Sequence, residues 1–268
     1  MTILDKIVAD KIREVYLKKL IIPTAQLETS TLFLRPTISL SDKLRNANFG
    51  IIAEHKRRSP SKISVNHSFT VEEVVSGYEN AGVFGVSVLT DAKYFGGSVD
   101  DLLLARACVS IPILRKEFII DEYQILEAKA HGADVILLIA AILTRGEIKS
   151  LSEFAKSLQL DVLLEVHNLK ELQKSIMPTI DMIGVNNRNL DTFEVSLSTS
   201  KKLSEEIPRE FVKISESGIS SVRDVISLLE YDYKGFLIGE HFMKTENAGK
   251  AARDFILALQ SNYKQTEN

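Results

Sequence analysis

The chain has 268 residues, 45% of them apolar, with 33 Lys and Arg against 36 Asp and Glu and a net charge of −3. That apolar share argues against disorder, and the charge balance gives no sign of a nucleic-acid or membrane partner. One cysteine, Cys108, rules out an intrachain disulfide; in "LLLARACVSIP" it reads as a core side chain and fits a reducing, cytoplasmic setting.

The first stretch, "MTILDKIVADKIREVYLKKL", places Ile3, Leu4, Ile7, Val8, Ile12, Val15 and Tyr16 at helical spacing. Asp5 and Asp10 break any apolar run of the kind a signal peptide needs, so a docked amphipathic helix is expected. No run of 18 or more apolar residues suggests a membrane span. From residue 49, short apolar runs alternate with helical patterns. The runs are "FGIIAEHK", "FGVSVLTD", "IPILRKEF", "VILLIAAI", "DVLLEVHN", "MIGVNNRN", "FVKISESG" and "GFLIGEHF". Between them lie stretches such as "TVEEVVSGYENAG", "DEYQILEAKAHGA", "TRGEIKSLSEFAKSLQ", "NLKELQKSI" and "SVRDVISLLEYD", and "NAGKAARDFILALQSNY" follows the last. Eight such units spell an α/β protein, a (β/α)8 TIM barrel, with strands apolar on both faces. A doubly wound open sheet is the rival, but no G-x-G-x-x-G follows the first strand. The reading is a single domain over 1–268, with a helical extension at 1–48, a barrel at 49–262 and a frayed tail "NYKQTEN".

Barrels of this kind build their sites at the C-terminal ends of the strands. Five of the eight runs end in polar groups there: Glu54 and Lys56, Lys116, Glu165, Asn186 and Arg188, and Glu216. Side chains alternate faces along a strand, so Ile52, Glu54 and Lys56 share one face and His55 takes the other. Leu114 pairs with Lys116 in the same way, and Leu163 with Glu165. Parity does not say which face is the lumen. Lysines crowded by carboxylates suit proton transfer, so Lys56 and Lys116 are candidate donors and Glu165 a candidate base. The histidines His55, His67, His131, His167 and His241 show no metal-ligand spacing. Glu165 and His167 sit two apart, but no third ligand is evident, and no metal is expected.

Two glycine turns follow the last strands. "SESGISS" carries Ser217 and Gly218 ahead of a helix capped by Ser220 or Ser221, and "LIGEHFM" carries Gly239 beside Glu240. Loops after strands seven and eight often hold phosphate, using backbone N–H groups and a helix N-terminus. The basic loop "KRRSPSKISVNHSFT", with Ser59, Pro60 and Ser61, is long enough to close over a phosphorylated ligand.

Taken in order, "IIAEHKRRSPS", "SVLTDAKYFGGS", "LRKEFIID", "LLEVHN", "IGVNNRNL", "SESGI" and "FLIGEHFM" resemble the indole-3-glycerol phosphate synthase family over about residues 3–260. The resemblance implies a (β/α)8 barrel with an N-terminal segment packed near the mouth, and no cofactor. It implies an enzyme of tryptophan biosynthesis, a carboxy-lyase. The substrate would be 1-(2-carboxyphenylamino)-1-deoxyribulose 5-phosphate, closed to indole-3-glycerol phosphate with loss of carbon dioxide and water. By motif position, Lys116 is similar to the general acid that protonates the ribulose carbonyl, and Glu165 with Lys56 to the pair that handles dehydration. Glu54 would orient the lysines, Asn186 would position polar groups of the substrate, and Arg188 and Ser217 would support the site. Ser59, Gly218, Gly239 and the N–H of Glu240, with Lys56, resemble the phosphate and carboxylate contacts. Glu216 joins the substrate-binding set, and Phe95 and Leu237 would flank the aromatic ring. One departure is Ile63, where the family usually has glycine after "SPSK".

Three readings stand at this point. The first is the lyase. The second is a phosphoribosyl-sugar isomerase or Schiff-base aldolase on the same barrel. The third is a phosphate-binding barrel without catalysis. All take a small phosphorylated molecule, with no nucleic acid and no membrane. Oligomeric state and association with other enzymes of the pathway are left open by the residues.

Overall fold

The structure, a computed structural model, describes residues 2–58, 69–190 and 192–266. Eight parallel strands close into a barrel in sequence order: β1 (Gly50–His55), β2 (Gly85–Leu89), β3 (Ile113–Lys116), β4 (Val135–Ile139), β5 (Asp161–Val166), β6 (Met182–Asn186), β7 (Val212–Glu216) and β8 (Tyr233–Ile238). β8 returns to β1 with Gly50 opposite Gly235 and Ile52 opposite Leu237, which rules out the open doubly wound sheet. Each strand is followed by a helix on the outside. Two of these, Val99–Cys108 and Ser198–Leu203, are not among the helical patterns named above. The first carries three leucines in a row and leaves Leu103 and Leu104 exposed, and the second is only six residues long; neither shows a clean stripe.

Local chemistry starts many of these helices. Thr2, Thr70, Thr144 and Ser221 each cap a helix reciprocally with an acid three residues on. The last helix runs to Thr266, so helix continues through most of the tail expected to fray. Cys108 is half-buried against the outer core. No helix among the described residues is long and apolar enough to cross a membrane.

Strand parity sorts the core into two layers. Ile52, Leu114, Leu137, Leu163, Met182, Ile214 and Leu237 fill the barrel. Ile51, Ala53, Val86, Val88, Leu138, Val162 and Ile183 face the helices. The face shared by Ile52, Glu54 and Lys56 is therefore the lumen, and His55 is buried on the outer side. The barrel floor is plugged by α3 (Leu40–Arg45). Leu44 presses against Gly50 and Gly235: a β-carbon on Gly50 would collide with it, and one on Gly235 would collide with Ile214 and crowd Leu44 at 3.2 Å. The preceding segment is fastened by buried Asp134, which accepts from Arg35 at 2.7 Å and from the Ile38 N–H at 2.9 Å.

Before the floor helix come α1 (Ile3–Ile21) and α2 (Thr24–Glu28). α1 lies over the opposite end, so the extension spans both ends of the barrel rather than the mouth alone. Its docked face is Ile7, Lys11 and Val15, while Ile12 and Tyr16, read as part of the apolar stripe, are exposed. Lys11 is the unexpected member. Its side chain is 2% exposed, and its Nζ lies 2.9 Å from Asp91, 3.1 Å from Glu117 and 2.8 Å from Glu14. Burial disfavours the ammonium, but Glu117 and Asp91 outweigh it and raise the pKa.

Removing one partner of such a group strands charge without water. Lys11→Met is expected to destabilise the fold by about 3–5 kcal/mol, read by urea unfolding. A loss below about 1 kcal/mol, the range of a surface ion pair, would contradict that role.

Candidate active site at the mouth of the barrel

A cavity of about 500 Å³ opens at the C-terminal ends of the strands. That is the size range of small-molecule sites. It collects Glu54, Lys56, Lys116, Glu165, Asn186, Arg188 and Glu216, together with Ser217, Gly218, Gly239, Glu240, Phe95 and Leu237. Ser59 and Ile63 lie outside the described residues. All the other named site residues thus meet in one place, although they lie on or directly after seven of the eight strands.

The register explains the convergence. Glu165 sits level with Gly184, and Asn186 level with Glu216, which in turn is level with Leu237. Gly184 makes room: a β-carbon there would overlap Glu216 Oε1. Gly239 does the same for Glu54, whose Oε1 would lie 2.8 Å from an added β-carbon. The next residues point away from the lumen. Arg115, fully buried, turns outward to Glu127 at 2.5 Å, and Asn187 binds Ser215 and Ser200 in the outer layer. The doublets Arg115–Lys116 and Asn186–Asn187 are each split by the pleat into one structural and one lumenal side chain.

At the centre is Lys116. Its Nζ stands 2.5 Å from Glu216 Oε2 and 3.4 Å from Glu165 Oε2. Lys56 Nζ pairs with Glu54 Oε1 at 2.9 Å. Asn186 Nδ2 donates to Glu165 Oε1 at 3.2 Å, and its own Oδ1 accepts the Arg188 N–H at 3.0 Å. Arg188 donates to the Phe193 carbonyl at 3.2 Å, which holds its head at the rim. Phe95 packs on Phe118 with ring centroids 5.9 Å apart and forms an aromatic wall opposite Leu237.

The charges are uneven: three carboxylates face two ammonium groups. Burial works against a charged Lys116, but Glu216, Glu165 and Glu54 outweigh it and raise its pKa, so it stays an ammonium. Burial also opposes ionisation of Glu54 and Glu165. Lys56 and Lys116 overcome it for Glu54, and Lys116 with His167 for Glu165, so both carboxyls titrate below their usual range. Glu216 is different. Burial prevails over Lys116 there and, with Glu165 and Glu54 adding repulsion, pushes it up to about 7. Its Oε1 is buried without a hydrogen-bond partner.

The glycine turns after β7 and β8 hold one feature that spacing alone does not show. Ser217 and Gly218 have φ of 65° and 80°, so two left-handed residues in a row curl the backbone after β7. The helix that follows, Val222–Leu229, is already capped: the Asp224 N–H donates to Ser221 Oγ, and Ser220 and Ser221 just before it donate their N–H groups to Asp224 at 2.9 and 2.8 Å. The expected pull of that helix N-terminus on an anion is thus partly spent on its own cap. Lys244 lines the same corner of the cavity and was not anticipated; it lies one helical turn beyond Gly239. Ile3, Leu4 and Ile7 of α1 supply an apolar lid edge, which hydrophobic spacing marks only as "buried". Among the described residues, no group of three or more His, Cys, Asp or Glu is placed to hold a metal ion.

Glu216 carries a test. Its folded pKa lies above the ordinary 4.5, so its proton favours folding at low pH, and that advantage is lost as pH rises to about 7. Glu216→Gln imitates the protonated form. It should be more stable than the parent above pH 7, by an amount on the order of a few kcal/mol, with the gap closing toward acid pH in urea unfolding series. A gap independent of pH would contradict this placement of the proton.

The family model for indole-3-glycerol phosphate synthase matches residues 4–255. An indole-3-glycerol phosphate synthase of Bacteroides thetaiotaomicron is 46% identical over 258 residues, covering 96% of this chain and 99% of the relative. One from Albidiferax ferrireducens is 40% identical and covers 93% and 96%. Among solved structures, KGPDC from Streptococcus mutans superposes with a TM-score of 0.61 at 14% identity, over 80% of this chain and 99% of that one. A chain of the tryptophan synthase complex from Pyrococcus furiosus gives 0.58 at 15%, over 79% and 98%. These two likenesses speak for the barrel alone. With the family model spanning most of the residues and close relatives covered almost end to end, the chain belongs to the indole-3-glycerol phosphate synthase family.

Proposed function

We propose that the mouth cavity carries out the family's reaction with Lys116 as the acid of ring closure. The chain is a carboxy-lyase of tryptophan biosynthesis, converting 1-(2-carboxyphenylamino)-1-deoxyribulose 5-phosphate to indole-3-glycerol phosphate. The observation that carries the assignment is the lumenal Lys116 ammonium, facing the cavity and held charged by carboxylates on two other strands.

In this reading, Lys116 gives a proton to the ribulose carbonyl oxygen. The carbonyl carbon becomes electrophilic and the ring carbon attacks it. The ring then loses carbon dioxide and recovers aromaticity. Dehydration follows: Lys56 donates to the departing hydroxyl, and Glu165 takes the proton released from carbon. Two protons are given and one is taken, so each turnover consumes one proton from solvent. Glu54 holds Lys56 in place, while Asn186 and Arg188 orient the polar chain. Phe95 and Leu237 flank the aromatic ring, and Glu216 steers Lys116. The turns at Ser217–Gly218 and Gly239–Glu240 receive the phosphate, with Ser59 of the first loop as a further contact. The chain is read as one domain, working in the cytoplasm.

The aldolase reading is disfavoured by the same charges. A Schiff base needs a neutral amine, and the carboxylates around Lys116 favour the ammonium. A phosphate-binding barrel without turnover would leave this buried set of acids and bases without a use.

Lys116→Ala should lower kcat by about 10²–10⁴-fold or more, followed by the fluorescence of the indole product. Activity within about tenfold of the parent would refute the assignment. Inorganic phosphate should inhibit competitively with substrate, whereas a noncompetitive pattern would put the anion site elsewhere.

A further inference from the structure

Beside the catalytic set stands a histidine with no assigned part. His167 follows β5 directly and projects to the same side as Glu165, two residues earlier. Its side chain is 9% exposed. Nδ1 lies 3.1 Å from Glu171 Oε2, and the His167 backbone N–H donates to that same oxygen at 2.8 Å. Nε2 is buried and makes no hydrogen bond; it faces Glu165 Oε1 at 3.4 Å, within ion-pair reach.

A carboxylate bonded at Nδ1 and another facing Nε2 favour the doubly protonated, positively charged ring. Burial opposes that charge, but the bond to Glu171 and the field of Glu165 outweigh it and raise the pKa. Glu165 is thereby held from three directions: Lys116 on Oε2, and Asn186 and His167 on Oε1.

We propose that His167, clamped by Glu171, is a positioning residue for Glu165: its imidazolium fixes the orientation of that carboxylate and keeps it ionised when the substrate enters. This rests on the reading of Glu165 as the base. The charged groups around the pair are Lys116 on β3, Glu54 on β1 and Glu216 on β7. Asp5, Arg188 and Glu194 stand across a second cleft.

That cleft, of about 840 Å³, reaches His167 and Glu171 from outside the mouth. Ile3, Leu4, Asn186, Arg188 and Leu190 line both cavities and form the partition between them.

The experiment is the pH dependence of kcat for His167→Gln and Glu171→Gln, with KM measured alongside. The acid limb of kcat reports the base in the enzyme–substrate complex. Without the neighbouring cation, that limb should move to higher pH in H167Q by about one to three units, and in E171Q in the same direction by less. KM should stay within about twofold, because His167 does not touch substrate. In His167→Ala, added imidazole should move the limb back toward the parent position. If kcat in H167Q falls equally at every pH, or does not change, His167 is only a packing residue and the inference is overturned. E171Q leaves the histidine in place and decides the matter should the His167 variants fail to fold. E165Q separates the two levels. If it is inactive while the limb of H167Q is unmoved, only the inference falls; if it is fully active, the reading of Glu165 falls with it.

Discussion

An ammonium ringed by carboxylates organises this molecule. The Lys116 side chain is only 13% exposed, and what makes that tolerable is the group of acids brought to it from β5 and β7. A charge so largely withdrawn from water is costly unless it is paired. The arrangement therefore stands or falls as a unit: Gly184 must be small, Glu216 must reach across, and the barrel must close in this register. The same constraint serves the chemistry. An acid that is preorganised and kept charged by its neighbours needs no rearrangement when a carbonyl arrives.

The extension completes the cavity from both ends. α3 seals the floor with Leu40 and Leu44, so the lumen is packed below the charged layer. α1 is pinned across the top by a second buried lysine, Lys11, whose partners Asp91 and Glu117 follow β2 and β3. Glu117 is the immediate neighbour of Lys116, so the contact that fixes the lid helix also fixes the strand end that carries the acid. Stability and function share this piece of backbone.

Much of this was legible in the residues. Eight apolar runs and their intervening periodicity gave the barrel, and period-two alternation put Glu54 with Lys56 and separated Lys116 from Arg115. Other features depend on contacts between distant segments. Nothing in "VADKIREV" says that Lys11 will be more buried than Ile12, because that follows from two acids waiting on other loops. The proton on Glu216 and the clamp on His167 are likewise properties of neighbourhoods. Asp224, which takes the N–H groups of Ser220 and Ser221, shows the same limit at the turn after β7. Spacing alone does not say whether such serines cap a helix or face a ligand.

The most direct measurement is a crystal structure with a reduced substrate analogue, in which a hydroxyl replaces the ribulose carbonyl and ring closure is impossible. The hydroxyl should lie about 3 Å from Lys116 Nζ, with the aromatic ring between Phe95 and Leu237 and the phosphate against the backbone of Gly218 and Gly239. A ligand whose hydroxyl turns away from Lys116, or whose phosphate settles on another rim of the barrel, would contradict the assignment of this cavity and its acid.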